Sequence, residues 1–70
     1  MEAEIGYAAG AIWRVLADKG PMPLTQLKRE AGITEQLLLM AIGWLAREDK
    51  LAITKDRRTL RVGLREPRAA

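Results

Sequence analysis

An apolar run that follows a glycine constrains this chain most strongly. The run covers residues 33–45, reads ITEQLLLMAIGWL and comes directly after Gly32. Thr34 is a residue type that caps helix N-termini, and apolar residues recur behind it at intervals of three and four. Those on the predicted core face are Leu38, Ala41, Ile42 and Leu45. The run therefore predicts an amphipathic helix over residues 35–48 that begins after a tight turn.

A longer helical pattern opens the chain. Residues 3–19 place apolar side chains at helical spacing, and Gly20-Pro21 provides the glycine and proline that typically end a helix. Gly6 and Gly10 lower the helix propensity of this segment, so we expect them to permit close backbone packing.

The segment between these two helices is shorter. Residues 22–24 are predicted to be extended, because a residue before proline avoids the helical region, and to add a short strand beside a hairpin. Thr25 is then predicted to cap a second helix over residues 26–31, which Gly32 ends.

The last third of the chain has the alternation of a β-hairpin. Residues 51–54 and 60–64 alternate apolar with small or polar residues on either side of residues 55–58. We expect one face to pack on the helices and Arg61 and Arg65 to face water. The residues predicted to face the helices are Leu51, Ile53, Leu60, Val62 and Leu64.

Three helices followed by a C-terminal hairpin are the element order of a winged helix-turn-helix, an α+β fold in which the hairpin is the wing. We predict one such domain over residues 1–65 and a disordered tail over residues 66–70. A chain of 70 residues is long enough for a single small core.

Composition excludes several functions. The chain contains no cysteine and no histidine, so disulfides, Cys/His zinc sites and Ser–His or Cys–His nucleophiles are impossible. No phosphate-binding glycine loop or cluster of acidic residues appears, and we predict neither an enzyme nor a cofactor or metal. The chain lacks a membrane-spanning run and begins with the acidic segment MEAE, which favours the cytoplasm.

Positive charge is concentrated at the C-terminal end. Residues 54–70 hold six basic and two acidic residues, a net charge of +4, whereas residues 1–53 hold six basic and seven acidic residues, a net charge of −1. A local positive field attracts polyanions, and we predict duplex DNA as the partner. The alternative is a solvated hairpin and a loose basic tail that bind no anionic partner.

The predicted nucleic-acid contacts fall into two groups. Lys55, Arg57, Arg58 and Arg61 of the wing are expected to meet phosphates or the minor groove. Backbone amides behind Thr25 and Thr34 are expected to hold further phosphates, and Gln36 is suited to adenine.

The outward arc of the third helix is unusually apolar for a DNA-reading surface. Leu39, Met40 and Trp44 widen its apolar surface, which typically marks an interface, so a homodimer or another protein partner is an alternative to DNA. For Trp44 we favour a third interpretation, a core position packed against the first helix.

Two segments resemble a known family. AGAIW at residues 9–13 and AIGWLAREDK at residues 41–50 are similar to a small prokaryotic family of stand-alone winged helix-turn-helix domains of unknown function. The resemblance covers residues 5–64. It implies the winged-helix fold and, less directly, homodimers, but it implies no activity. Its Gly43 and Trp44 fit tight helix packing better than base reading.

Overall fold

The computed structural model describes residues 1–65, and the predicted tail at residues 66–70 lies outside them. The elements follow the predicted order along the chain. They are α1 (Glu2–Lys19), β1 (Met22–Pro23), α2 (Leu24–Ala31), α3 (Glu35–Arg47), β2 (Leu51–Asp56) and β3 (Thr59–Leu64). Three helices and a hairpin make the winged helix-turn-helix that the sequence predicts.

The sheet has three antiparallel strands in the order β1-β3-β2. The predicted short strand is present, since Met22 lies opposite Val62 and Pro23 opposite Arg61. The hairpin is longer than predicted: β2 and β3 pair from Leu51 opposite Leu64 up to Asp56 opposite Thr59. Only Arg57 and Arg58 remain in the turn.

Apolar side chains from every helix and strand meet in one core. The helical pattern is confirmed, because α3 buries the four predicted residues and α1 buries its own apolar stripe. Among residues 1–65, twelve hydrophobic residues are buried: Ala8, Ala9, Ile12, Leu16, Met22, Leu27, Leu38, Ala41, Ile42, Leu45, Leu51 and Val62. No helix among residues 1–65 has the length and apolar character that a membrane span requires.

Ile53 and Leu60 lie on the predicted face of the sheet, but the helices do not cover them. Both side chains are more than two-fifths exposed, although they lie on the same sheet face as the buried Val62. The reason is length, because each strand residue advances the hairpin by about 3.3 Å and its outer half passes beyond the helices. The wing therefore projects from the domain, with only its base in the core.

The start of α2 differs from the prediction. Thr25 is not the cap of α2: Pro23 occupies the N-cap, no side chain caps the helix, and Thr25 lies inside the first turn. Proline is suited to this entry, because its fixed φ allows the chain to pass from β1 directly into the helix. Gly20 and Gly32 do end α1 and α2 as predicted, both with positive φ.

The C-terminus of α3 ends without a glycine. Asp49 takes the left-handed conformation, with φ of 63°. The amide of Asp49 donates to the Ala46 carbonyl at 3.0 Å, and the amide of Lys50 donates to the Leu45 carbonyl at 2.9 Å. This pair of bonds is a Schellman motif, which stops the helix and directs the chain into β2.

Candidate nucleic-acid interface

Three cations cluster at the tip of the wing. The two-residue turn consists of Arg57 and Arg58, the pair next to it is Asp56 opposite Thr59, and Lys55 lies in the second pair, opposite Leu60. None of these three cations forms an ion pair with a carboxylate of residues 1–65. Arg57 has φ of 59°, a conformation that costs an L-residue roughly 1 kcal/mol. The tip therefore exposes positive charge that the fold does not use.

The other two wing arginines have partners within the domain. A terminal nitrogen of Arg61 donates to the Pro21 carbonyl at 3.4 Å, while the rest of its guanidinium is exposed. Arg65 pairs with the carboxylate of Asp49, and its backbone amide donates to the Lys50 carbonyl at 2.9 Å. Arg65 faces water as predicted, but its charge is balanced by Asp49 and fastens the end of β3 to the end of α3.

A groove between α2 and the start of α3 gathers residues that the sequence analysis treated separately. Thr25 lines this groove although it is not a helix cap. Lys28 and Arg29 line it as well, and the Lys28 ammonium lies 3.9 Å from the Glu35 carboxylate. Sequence reasoning missed both cations, although their spacing of three and four residues from Thr25 places all three on one helix face.

The N-terminus of α3 is capped as predicted. The hydroxyl of Thr34 accepts a hydrogen bond from the Leu37 amide at 3.2 Å. Gln36 is exposed one residue past the start of the helix, and Leu39 and Met40 follow with 51% and 40% of their surface exposed. The N-terminal half of α3 therefore exposes Gln36, Leu39 and Met40, next to the Thr34 cap.

Trp44 is not a core residue, so the favoured interpretation of its position was wrong. Its side chain is 46% exposed and lies over α1, where a groove is lined by Gly6, Gly10 and Trp13. Trp13, which the sequence analysis did not single out, is 47% exposed. Both tryptophans line this open groove, and both remain partly in solvent.

No other part of the domain packs closely against the glycines beside these tryptophans. A Cβ atom added at Gly6, Gly10 or Gly43 would have no other heavy atom within 4 Å. The expectation of tight backbone contact at Gly6 and Gly10 is therefore wrong for this chain by itself. The three glycines instead leave an open surface on α1 and α3.

One ion pair away from the wing joins two helices. The Lys19 ammonium donates to the Glu30 carboxylate at 2.6 Å and joins the C-terminal ends of α1 and α2. This hydrogen bond, together with the attraction between the two charges, raises the pKa of Lys19 above its ordinary value.

Comparisons with known proteins agree with this architecture. Residues 1–64 match the winged helix-turn-helix domain family DUF2582. A protein of Methanocaldococcus jannaschii, named uncharacterized protein MJ1608, is 40% identical over 58 residues, which cover 80% of this chain and 83% of that protein. The resemblance predicted from residues 9–13 and 41–50 is confirmed, as is the fold that it implied.

Proposed function

Because the chain belongs to the winged helix-turn-helix family DUF2582, we propose that it binds duplex DNA as a small regulator of transcription. The observation that carries this proposal is the wing tip, where Lys55, Arg57 and Arg58 have no carboxylate partner among residues 1–65. Cations without internal partners on a projecting hairpin are free to displace counterions from phosphates, which drives most sequence-independent DNA affinity.

The proposed contacts extend from the wing to α2 and α3. Arg61 keeps most of its guanidinium exposed on the outer face of β3, where it can meet a phosphate. Thr25 offers its hydroxyl beside Lys28 and Arg29. The Thr34 cap uses one backbone amide of α3, and the remaining amides of the first turn are donors for a further phosphate. Gln36 is proposed to form a pair of hydrogen bonds with adenine.

A salt titration of duplex affinity tests this proposal. The informative variant combines Arg57→Asn with Arg58→Gln, because asparagine tolerates the positive φ at the turn and the wing therefore keeps its shape. We expect the slope of log affinity against log salt to become shallower by about 1.8, the value for two lost phosphate contacts. Fluorescence anisotropy with a labelled duplex measures this slope.

Arg14→Gln is the matched control. Arg14 lies on α1, in the groove next to Asp18 and Lys19 and away from the wing, and this substitution also removes positive charge. It should leave the slope unchanged. A parent protein that does not bind duplex even at low salt would refute DNA binding, and equal slopes for the wing variant and the control would refute the role of the wing.

A protein-docking function is the second candidate. It is favoured by the open glycine surface beside Trp44, together with the exposed side chains of Leu39 and Met40. In this alternative, Met40→Glu abolishes self-association measured by sedimentation. Tyr7→Glu on α1, at an exposed residue that does not line the groove beside Trp44, does not abolish it. A parent protein that stays monomeric at high concentration removes self-association as the function.

A further inference from the structure

The exposed arc of α3 is mostly apolar, whereas helices that read DNA usually present polar or charged side chains to the bases. Between Gln36 near its start and Arg47 at its end, the outward positions are apolar. Leu39 and Met40 are 51% and 40% exposed, and Gly43 adds no side chain. An arc of this kind has almost no hydrogen-bonding groups with which to read base edges.

One chemical group in the major groove matches such an arc. The C5-methyl group of thymine is the apolar feature of the four base pairs, and it stands beside the adenine edge that glutamine recognises. We propose that α3 selects A·T base pairs, with Leu39 and Met40 packed on thymine methyl groups and Gln36 bonded to a neighbouring adenine. This inference rests on the proposed DNA-binding function and names the sequence class that it selects.

The charges around the arc favour DNA over an apolar protein surface as its occupant. Lys28 and Arg29 line the groove at the N-terminal end of α3, where the carboxylate is that of Glu35, 3.9 Å from the Lys28 ammonium. Towards the other end of the helix, Arg47 lines a second groove with Met40 and Gly43, beside the carboxylate of Glu48. An apolar strip with cations near both of its ends complements a groove whose floor carries methyl groups and whose edges are phosphates.

Gly43 supports the close approach that this contact requires. A Cβ atom at this position would have no heavy atom within 4 Å, so the glycine is not explained by packing inside the domain. A glycine in the middle of a helix lowers stability by roughly 1 kcal/mol relative to alanine. An external surface that approaches the helix backbone at Gly43 would account for it, and the base pairs of the major groove are such a surface.

The test changes only the methyl group. Duplex affinity is measured for an A·T-rich sequence and for the same sequence in which deoxyuridine replaces every thymidine, which removes the C5-methyl group and keeps the base pairing. Burying two methyl groups predicts an affinity about tenfold lower for the uridine duplex. A G·C-rich duplex gains affinity when 5-methylcytosine replaces cytosine, because this change adds a methyl group to the major groove.

The double variant Leu39→Ala with Met40→Ala assigns the effect to α3. It should bind the thymidine and uridine duplexes equally, with its affinity for the uridine duplex unchanged from the parent. Tyr7→Ala is the control, because Tyr7 is 72% exposed on α1 and should leave the tenfold difference intact. Circular dichroism confirms that both variants keep their helices.

The outcomes separate this inference from the function that it extends. Salt-dependent binding with equal affinity for thymidine and uridine duplexes overturns A·T selection and leaves DNA binding in place. A difference that survives in the double variant also overturns it, since the preference then comes from DNA shape. Loss of self-association in the double variant, without any change in duplex affinity, assigns the arc to a protein partner instead. No binding to any duplex refutes the proposed function itself.

Discussion

Replacing Gly6 and Gly10 by alanine should stabilise this domain. Both glycines lie inside α1, both are exposed, and an added Cβ atom at either would meet no heavy atom within 4 Å. Each substitution should therefore contribute the difference in helix propensity without a steric cost, about 0.8–1.0 kcal/mol. The double variant should gain about 2 kcal/mol in the free energy of unfolding, which raises Tm by about 8–16 °C in a domain of this size.

Urea denaturation followed by far-ultraviolet circular dichroism measures this gain, because the helical signal does not depend on the tryptophans near the substitutions. Two glycines of the same chain serve as controls. A Cβ atom at Gly63 would lie 3.0 Å from Pro21 Cγ, and Gly32 has φ of 66°. Alanine should lower the free energy of unfolding by about 1 kcal/mol or more at each of these positions.

A double variant of Gly6 and Gly10 that is less stable than the parent would refute the reasoning. Destabilisation that grows with protein concentration would show that a second molecule covers α1 at these glycines. Destabilisation that is independent of concentration would show that α1 packs more closely inside the domain than its contacts indicate.

Three further results follow from the charges of the domain. Lys19→Met should lower the free energy of unfolding at neutral pH, because it removes the ammonium that binds Glu30. The difference from the parent should disappear as pH rises through the raised pKa of Lys19, because the parent side chain is then neutral in the folded and the unfolded state. Chemical denaturation of both proteins at pH 7 and about pH 12 measures this difference. Glu35→Gln should strengthen duplex binding and steepen its salt dependence by about 0.9, because Lys28 is released to a phosphate; anisotropy titrations at several salt concentrations report both changes. Asp49→Gly should raise the free energy of unfolding by up to about 1 kcal/mol, because relief of the positive φ exceeds the loss of an exposed ion pair; a decrease measured in urea would contradict this balance.

Local signals in the sequence were sufficient for most element boundaries. The Thr34 cap and the terminal glycines Gly20 and Gly32 act through backbone geometry within one helical turn, and each lies where it was predicted. The hairpin also followed from local alternation. The end of α3 was less visible, because Asp49 takes the left-handed position that sequence patterns associate with glycine.

Exposure was harder to predict than secondary structure, because it depends on how far each element extends past its neighbours. Ile53 and Leu60 have the alternation of core residues, but the helices end before they reach the outer half of the wing. Trp44 has the helical spacing of a residue packed on α1, yet the glycines of α1 provide no side chains to bury it. Both differences come from tertiary geometry that a periodic pattern does not encode.

The grouping of the candidate site also required the fold. Lys28 and Arg29 belong to α2 and Glu35 belongs to α3, and only the packing of the two helices places them around one groove. That Arg57 and Arg58 find no carboxylate partner among residues 1–65 depends on where the carboxylates lie in space. The ion pair between Arg65 and Asp49 likewise joins residues 16 positions apart in the chain.

The proposed DNA interface combines the wing tip with the exposed arc of α3. An amide NMR titration of the isotope-labelled protein with a short A·T-rich duplex at low salt maps this interface residue by residue. We expect chemical-shift changes in residues 55–61 and 34–43, which diminish as salt is added. Shifts confined to the surface around Gly6, Gly10 and Trp13, or no shifts at any duplex concentration, would refute the proposed interface.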